Sequence, residues 1–264
     1  MSAATALCFL VADTRHRIPR RPLHRYAYRQ ARHLVRRLLL ASERKTFRGD
    51  DYRPGLAAAV ASIRKRSRDV PPILLLTPDD LDPPPGIDKV VRIDPRRFES
   101  VRGAFYEFGV TVFFKLAVFE LGSFDRVVYL DSDTLAVDDV SELWDPRCFR
   151  DHGFYGVRES KELGAHTDAA VGKFNSGVMV INRPMFDGRA FEQLMSLARS
   201  RASYDGGDQG VINALIGQPG GPYPAGELAP HYNVFVNDLT YETGVLDRIR
   251  PRILHFVGAT KPWS

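Results

Sequence analysis

Apolar residues fall into short continuous runs separated by segments of helical period. The runs are "ALCFLVA", "PILLLT", "DKVVRI", "RVVYL", "SGVMVIN" and "PRILHFVG". Runs of this length without strict alternation are the pattern of strands buried on both faces. Between them, "GLAAAVASIRKRS", "VFFKLAVFELG", a segment from Pro184 to about Ser200 and "DQGVINALIG" read as helices, the third opened by proline. Strands alternating with helices predict an α/β fold around a sheet with many parallel neighbours. The "LDPPPG" of Leu81 to Gly86 predicts a stiff turn between two strands, because each proline fixes φ and removes a donor. No repeat period interrupts this order, so residues 1–264 are expected to form one domain with a loop-rich second half.

Composition narrows the class. With 264 residues and 44% hydrophobic positions the chain can bury a sizeable core, which excludes a disordered or fibrous protein. Cys8 and Cys148 are the only cysteines and have no metal spacing, so neither a disulfide framework nor a zinc module is expected, and a reducing, cytoplasmic compartment fits. The opening apolar run has no basic leader and is too short to span a bilayer, so it reads as a first strand. The net charge of +5 is uneven: Arg15 to Arg48 hold 12 of the 37 Lys and Arg against one acid, Glu43, and the remaining 25 face 31 Asp and Glu. The basic character belongs to one segment and not to the body.

The most informative local feature is "RVVYLDSDTLA", where a buried strand ends on Asp131 and Asp133. Ligands of open α/β sheets lie beyond the carboxyl ends of the strands. Two carboxylates leaving an extended strand at i and i+2 share one side, and their repulsion calls for a cation or a proton. Oxygen ligands suit Mg²⁺ or Mn²⁺. The alternative is an Asx-type turn ending an ordinary strand.

Three further segments add to this one. "KFNSGVMVIN" places Asn175 and Ser176 before an apolar strand. "YDGGDQGVINAL" gathers Asp205, Asp208 and Gln209 around glycines at a helix start, and "ILHFVGATKPW" follows a strand with His255, Gly258 and Lys261. Together with the Asp-Ser-Asp, these strings resemble the glycogenin-like retaining glycosyltransferases of family 8, over roughly Phe113 to Trp263 and more weakly in the first strand and "DDYRPGLAAAVASI". The resemblance implies a GT-A fold, a Rossmann-like nucleotide-sugar-binding domain with a mixed, mostly parallel sheet. It also implies hexosyl transfer from a UDP-sugar, glucose first. By the same resemblance Asp131, Asp133 and His255 would ligate Mn²⁺, with Mg²⁺ as the second choice. Lys261, with Gly258 beside it, would meet the diphosphate, and Lys115 would reach into the donor site. Asp208 would stand at the anomeric carbon as a nucleophile or as electrostatic support. Asp205 and Gln209 would line the sugar and acceptor side, and Asn175 and Ser176 would hydrogen-bond sugar hydroxyls. Val11, Asp13, Tyr52 and Ser132 complete the expected donor site.

The chemistry asks for the same mixture, since a departing nucleoside diphosphate gains charge that a divalent ion offsets and imidazole shifts preference towards Mn²⁺. Each residue also has an ordinary alternative: His255 a strand histidine bonded to a carbonyl, Lys115 a snorkelling lysine, Lys261 a solvated one, Asp208 an N-cap.

Two departures concern the donor. Gly172 stands where the family commonly carries a sugar-contacting aspartate, and "VADT" (Val11 to Thr14) replaces the start of its uridine pocket.

A third departure is an insertion. Residues 14–49 intervene where the family passes directly from its first strand, and their pattern is helical. Leu23, Ala27, Ala31, Leu34 and Leu38 share one face and Arg25, Arg29, Arg32 and Arg36 the other. Such a helix either packs on the domain or lies on an anionic membrane, which would make the protein peripheral on an inner membrane face. Nucleic acid is not expected, because aromatics beyond Tyr26 and Tyr28 do not interleave with the arginines. A dimer is compatible with the sequence. The acceptor, whether sugar, lipid, polyol or the protein itself through a tyrosine near Tyr241, is not encoded legibly. Competing readings are a sugar-phosphate nucleotidyltransferase, which lacks support because no Gly-rich, Arg-containing loop follows the first strand, and a non-catalytic membrane- or partner-binding scaffold.

Overall fold

The apolar runs do form strands, buried on both faces except "DKVVRI", which makes the half-exposed edge strand Lys89–Arg92. The structure, a computed structural model, describes residues 4–11, 53–102, 110–161, 168–216, 221–236 and 245–257. In chain order the described elements are β1 (Thr5–Leu10), α1 (Arg53–Arg66), β2 (Ile73–Thr77), β3 (Lys89–Arg92), α2 (Glu99–Arg102), a 3₁₀ helix (Thr111–Glu120), β4 (Arg126–Leu130), β5 (Thr134–Ala136), β6 (Phe154–Arg158) and β7 (Phe174–Asn182). There follow α3 (Arg189–Arg199), α4 (Asp208–Ile216), β8 (Ala225–Glu227), β9 (Val234–Phe235), α5 (Val245–Ile249) and β10 (Ile253–His255). Asp13, Tyr52, Gly258, Lys261, Tyr241 and the basic segment of residues 14–49 lie outside the described residues.

Seven strands make one sheet in the order β3-β2-β1-β4-β7-β6-β8. The β1, β2, β3 and β4 neighbours pair parallel, β7 runs antiparallel to both β4 and β6, and β8 returns parallel to β6. The sheet is therefore mixed and mostly parallel, as expected. Side chains alternate between two cores. Ala6, Cys8, Val127, Tyr129, Met179 and Ile181 face the 3₁₀ helix, α3 and α4. Leu7, Phe9, Val128, Leu130, Val178 and Val180 face α1. Three layers result, with the carboxyl end of β4 at the centre.

The helix expected from Pro184 to Ser200 is broken. Arg183–Phe186 form a 3₁₀ turn, Gly188 takes φ +80°, and α3 starts only at Arg189. The Asp187-Gly188 pair explains this: Asp187 Oδ1 accepts from the N–H groups of Arg189 and Ala190 and caps a new helix. No helix among the described residues is long and apolar enough to cross a membrane.

Beneath the sheet, Arg126 is 5% exposed and ties the loop after β5 to β7. Its guanidinium donates to Asn182 Oδ1 (2.8 Å) and to the carbonyls of Asp145 (2.6 Å), Cys148 (2.7 Å) and Phe149 (3.0 Å). Arg126→Leu removes the guanidinium donors from Asn182 Oδ1 and the Cys148 carbonyl, while the Asp145 and Phe149 carbonyls keep the Cys148 N–H and Asn182 Nδ2; each part-buried acceptor left unpaired costs about 1–3 kcal/mol. We expect a loss of about 3 kcal/mol or more, read as a lower urea midpoint at unchanged slope. A midpoint shift worth less than about 1 kcal/mol would show that water replaces the guanidinium.

Candidate active site

β4 delivers Asp131 to the end of the sheet, but the chain does not continue extended. The Thr134 N–H and the Thr134 hydroxyl both donate to the Asp131 carbonyl (3.1 and 2.7 Å), closing a turn over Asp131-Ser132-Asp133-Thr134. This corrects the expectation of two carboxylates leaving an extended strand at i and i+2. They converge because the backbone folds back into β5. The Asp131 N–H donates to the Gly177 carbonyl (2.8 Å), which fastens the turn to β7, and Ser132 is buried within it.

β5 belongs to a second, three-stranded sheet in the order β5-β10-β9, and the antiparallel β5–β10 register sets His255 opposite Thr134. The imidazole Nε2 lies 3.2 Å from Asp133 Oδ1 and 3.7 Å from Asp131 Oδ2. One ligand atom from each of Asp131, Asp133 and His255 falls within 4.8 Å of the others. The donor set of two carboxylates and one imidazole suits a borderline-hard divalent ion, and the ring's far nitrogen is occupied: Nδ1 lies 2.9 Å from Asn233 Oδ1. His255 thus offers Nε2 to the two carboxylates. The residues present fit the expected cation.

Gly177 explains why a glycine follows Asn175 and Ser176. A Cβ there would overlap Cε1 of the His255 ring and lie 2.7 Å from its Nδ1. The ring rests on bare backbone, a close approach open to glycine alone.

Lys115 stands at the other side of Asp131 and is buried, not snorkelling. Its Nζ lies 3.0 Å from Asp131 Oδ1, 3.0 Å from Asp208 Oδ2 and 3.0 Å from Ser176 Oγ. Burial alone would lower the ammonium's pKa, but Asp131 and Asp208 together outweigh it and hold the group above the ordinary lysine range. The Tyr129 hydroxyl donates to Asp131 Oδ1 (2.8 Å), and its own pKa is raised by burial first and by the Asp131 charge second.

Asp208 opens α4, yet it does not cap the helix. Capping falls to Asp205, whose Oδ1 accepts from the N–H groups of Gly207 (2.9 Å) and Gly210 (3.0 Å) and from Ser203 Oγ (2.7 Å). A Cβ at Gly210 would overlap Ser203 Oγ, so the third Gly of the string also serves a close approach. Asp208 is free to accept from Ser176 Oγ (2.8 Å) and Lys115.

Behind these groups runs a buried polar network. Asn175 Nδ2 donates to Glu159 Oε1 (2.9 Å) and Gln209 Oε1 (2.8 Å), and Asn175 Oδ1 accepts from the Gly177 N–H (2.8 Å) and Asn233 Nδ2 (2.7 Å). Gln209 Nε2 donates to Glu159 Oε1 (2.9 Å) and to the Tyr204 hydroxyl (2.6 Å). Asn175 therefore has no spare donor or acceptor, which differs from the expected contact with sugar hydroxyls. Val11 is 7% exposed, bonded through its N–H to Leu76 and packed in the α1-side core. Tyr129, Glu159, Tyr204 and Asn233 were not singled out from sequence. Tyr204 and Tyr129 lie within the strings "YDGGDQGVINAL" and "RVVYLDSDTLA", whereas Glu159 and Asn233 carry no local signal.

Comparison with known proteins places this geometry in a class. The fold superposes on the WbbM bifunctional glycosyltransferase with a TM-score of 0.58 at 16% identity, covering 100% of this chain and 47% of that one. It also superposes on the galactosyltransferase LgtC in complex with donor and acceptor sugar analogs, with a TM-score of 0.51 at 18% identity, covering 98% of this chain and 89% of that one. These likenesses define the fold as that of the GT-A glycosyltransferases. The model of glycosyl transferase family 8 matches residues 87–264, and the chain belongs to that family. Glycogenin-1 of Mus musculus is 29% identical over 165 residues, which is 60% of this chain and 43% of the relative. Inositol phosphorylceramide glucuronosyltransferase 1 of Arabidopsis thaliana is 28% identical over 172 residues, 58% of this chain and 29% of the relative. The chain thus spans less than half the length of the curated relatives it matches.

Proposed function

We propose that this chain is a retaining glycosyltransferase that moves a hexose, glucose first, from a UDP-sugar to an acceptor. In this reading Asp131, Asp133 and His255 hold Mn²⁺, or Mg²⁺ in its place. The bound ion would neutralise charge on the departing diphosphate. The observation that carries the reading is the placement of one buried ammonium, Lys115, between a candidate metal ligand and a carboxylate that has been freed from helix capping.

The chain's own residues divide the remaining work. Lys115 keeps Asp131 and Asp208 close without mutual repulsion. It also adds positive charge beside the site where a leaving group gains negative charge. Asp208, held by Ser176, presents a carboxylate to a carbon that becomes cationic, as a nucleophile or as electrostatic support. Asp205 and Gly210 hold the loop that carries Asp208. Ser132, Asp13, Tyr52, Gly258 and Lys261 would serve the nucleotide and diphosphate side, whereas the side chain of Val11, expected there too, packs in the core. The relative named inositol phosphorylceramide glucuronosyltransferase 1, together with the basic segment of residues 15–48, supports a lipid-linked acceptor met at an anionic membrane surface.

Incubation with a panel of UDP-sugars, Mn²⁺ and mixed acceptors tests the proposal. We expect UDP release, with proton NMR showing the donor's anomeric configuration kept in the product. Inversion at the anomeric carbon would overturn retention, and pyrophosphate release from a nucleoside triphosphate would favour a nucleotidyltransferase.

A further inference from the structure

The buried amides behind the site form a chain of hydrogen bonds whose direction is fixed at both ends, and this direction reaches His255. Two of the donors are backbone N–H groups: Gly177 to Asn175 Oδ1 (2.8 Å) and Ser176 to Gln209 Oε1 (3.1 Å). A third constraint is Glu159, 3% exposed, whose carboxylate Oε1 can only accept and takes one hydrogen each from Asn175 and Gln209. With both Asn175 hydrogens spent on Glu159 and Gln209, its oxygen must face Asn233. Asn233, 2% exposed, then donates through Nδ2 (2.7 Å) and turns its own oxygen to His255 Nδ1 (2.9 Å). An oxygen at that position accepts only from a protonated Nδ1.

We propose that Glu159 is a positioning residue that sets the tautomer of His255 from the far end of this relay. It acts through Asn175 and Asn233, holds a proton on Nδ1 and so keeps Nε2 as the nitrogen turned to Asp131 and Asp133. Buried amides that are half satisfied would flip, since either orientation then loses a bond. Here the amide positions of Asn175 and Gln209 are all used, so one orientation is selected. Glu159 touches neither the candidate cation site nor Asp208. Its effect is transmitted as donor and acceptor polarity, the way outer partners of metal-binding histidines orient the ring. The proposal rests on the reading of His255 as a metal ligand, and the two can fail separately.

The test is imidazole nitrogen NMR on the metal-free protein, which distinguishes a protonated from an unprotonated ring nitrogen, combined with Mn²⁺ titration. In the wild type we expect His255 to carry a proton on Nδ1, the nitrogen that faces Asn233 Oδ1. Glu159→Leu should give a mixed tautomer population and about 10- to 100-fold weaker Mn²⁺ binding. Glu159→Gln, whose amide oxygen can still accept, should restore most of both. Asn233→Ala, which removes the acceptor at Nδ1, should also mix the tautomers and decides the relay should Glu159→Leu not fold. A wild-type ring with no proton on Nδ1, or an unchanged Nδ1–H in Asn233→Ala, overturns the relay. A folded Glu159→Leu protein with unchanged tautomer and Mn²⁺ affinity removes Glu159 from it. The expected tautomer together with no Mn²⁺ binding in the wild type would leave the relay standing and refute the metal reading alone.

Discussion

Asp208→Asn is expected to lower kcat by roughly 10²- to 10³-fold, the loss seen when one electrostatic partner of a transition state is removed, with donor affinity close to wild type. The substitution keeps the shape of the side chain, and its oxygen can still accept from Ser176 Oγ or Lys115. What disappears is the negative charge opposite a carbon that becomes cationic only as the glycosidic bond breaks. A ground-state binding role would instead raise KM or the donor Kd with kcat unchanged. Steady-state kinetics with calorimetric donor titration separates the two, and a kcat within a few-fold of wild type would end the role proposed for Asp208.

Gly177→Ala is expected to abolish tight Mn²⁺ binding as effectively as His255→Ala or Asp133→Ala, although it removes no ligand. The added methyl occupies the space of the imidazole Cε1 and approaches Asn175 Oδ1 to 2.9 Å, so both the ring and the amide that orients it must move. The His255 ring is held between this glycine and Asn233 and has little room to yield. Affinity should fall at least 10- to 100-fold, the range for losing a ligand's supporting contact. Calorimetric Mn²⁺ titration of the three folded variants checks it. Unchanged affinity in all three would refute the cation site, and unchanged affinity in Gly177→Ala alone would show that the ring can shift at little cost.

The fold was readable because its strands are buried on both faces. Val127 to Leu130 and Val178 to Ile181 are continuous apolar runs that admit little else at that length. Residues next to recurring strings were readable too: Asp131, Asp133, Asp208 and His255 all converge on one place. The partners that orient them were not. Glu159 and Asn233 act through contacts between segments far apart in sequence, whereas Tyr129 reaches Asp131 only two residues on and was masked by its place in an apolar run. Neither strand order nor the second sheet leaves a periodic trace in sequence, since β5, β9 and β10 are three, two and three residues long. The turn at Asp131 and the break at Gly188 failed for a different reason. Each is decided by a pair of local hydrogen bonds, from Thr134 and to Asp187, which compete with the regular structure the pattern suggested.

The β5–β10 pairing has a consequence for how the protein matures. All seven strands of the large sheet have been synthesised by Glu227, whereas His255 arrives only with β10 and reaches its carboxylate partners by a contact of long sequence separation. Closing such a contact is slow compared with local structure, because its loop entropy is lost before any pairing is gained. Architecture and chemistry are thus acquired in sequence: a chain halted after β8 possesses every strand of the large sheet and both aspartates, but the three-residue set proposed to hold a divalent ion is complete only when β10 docks.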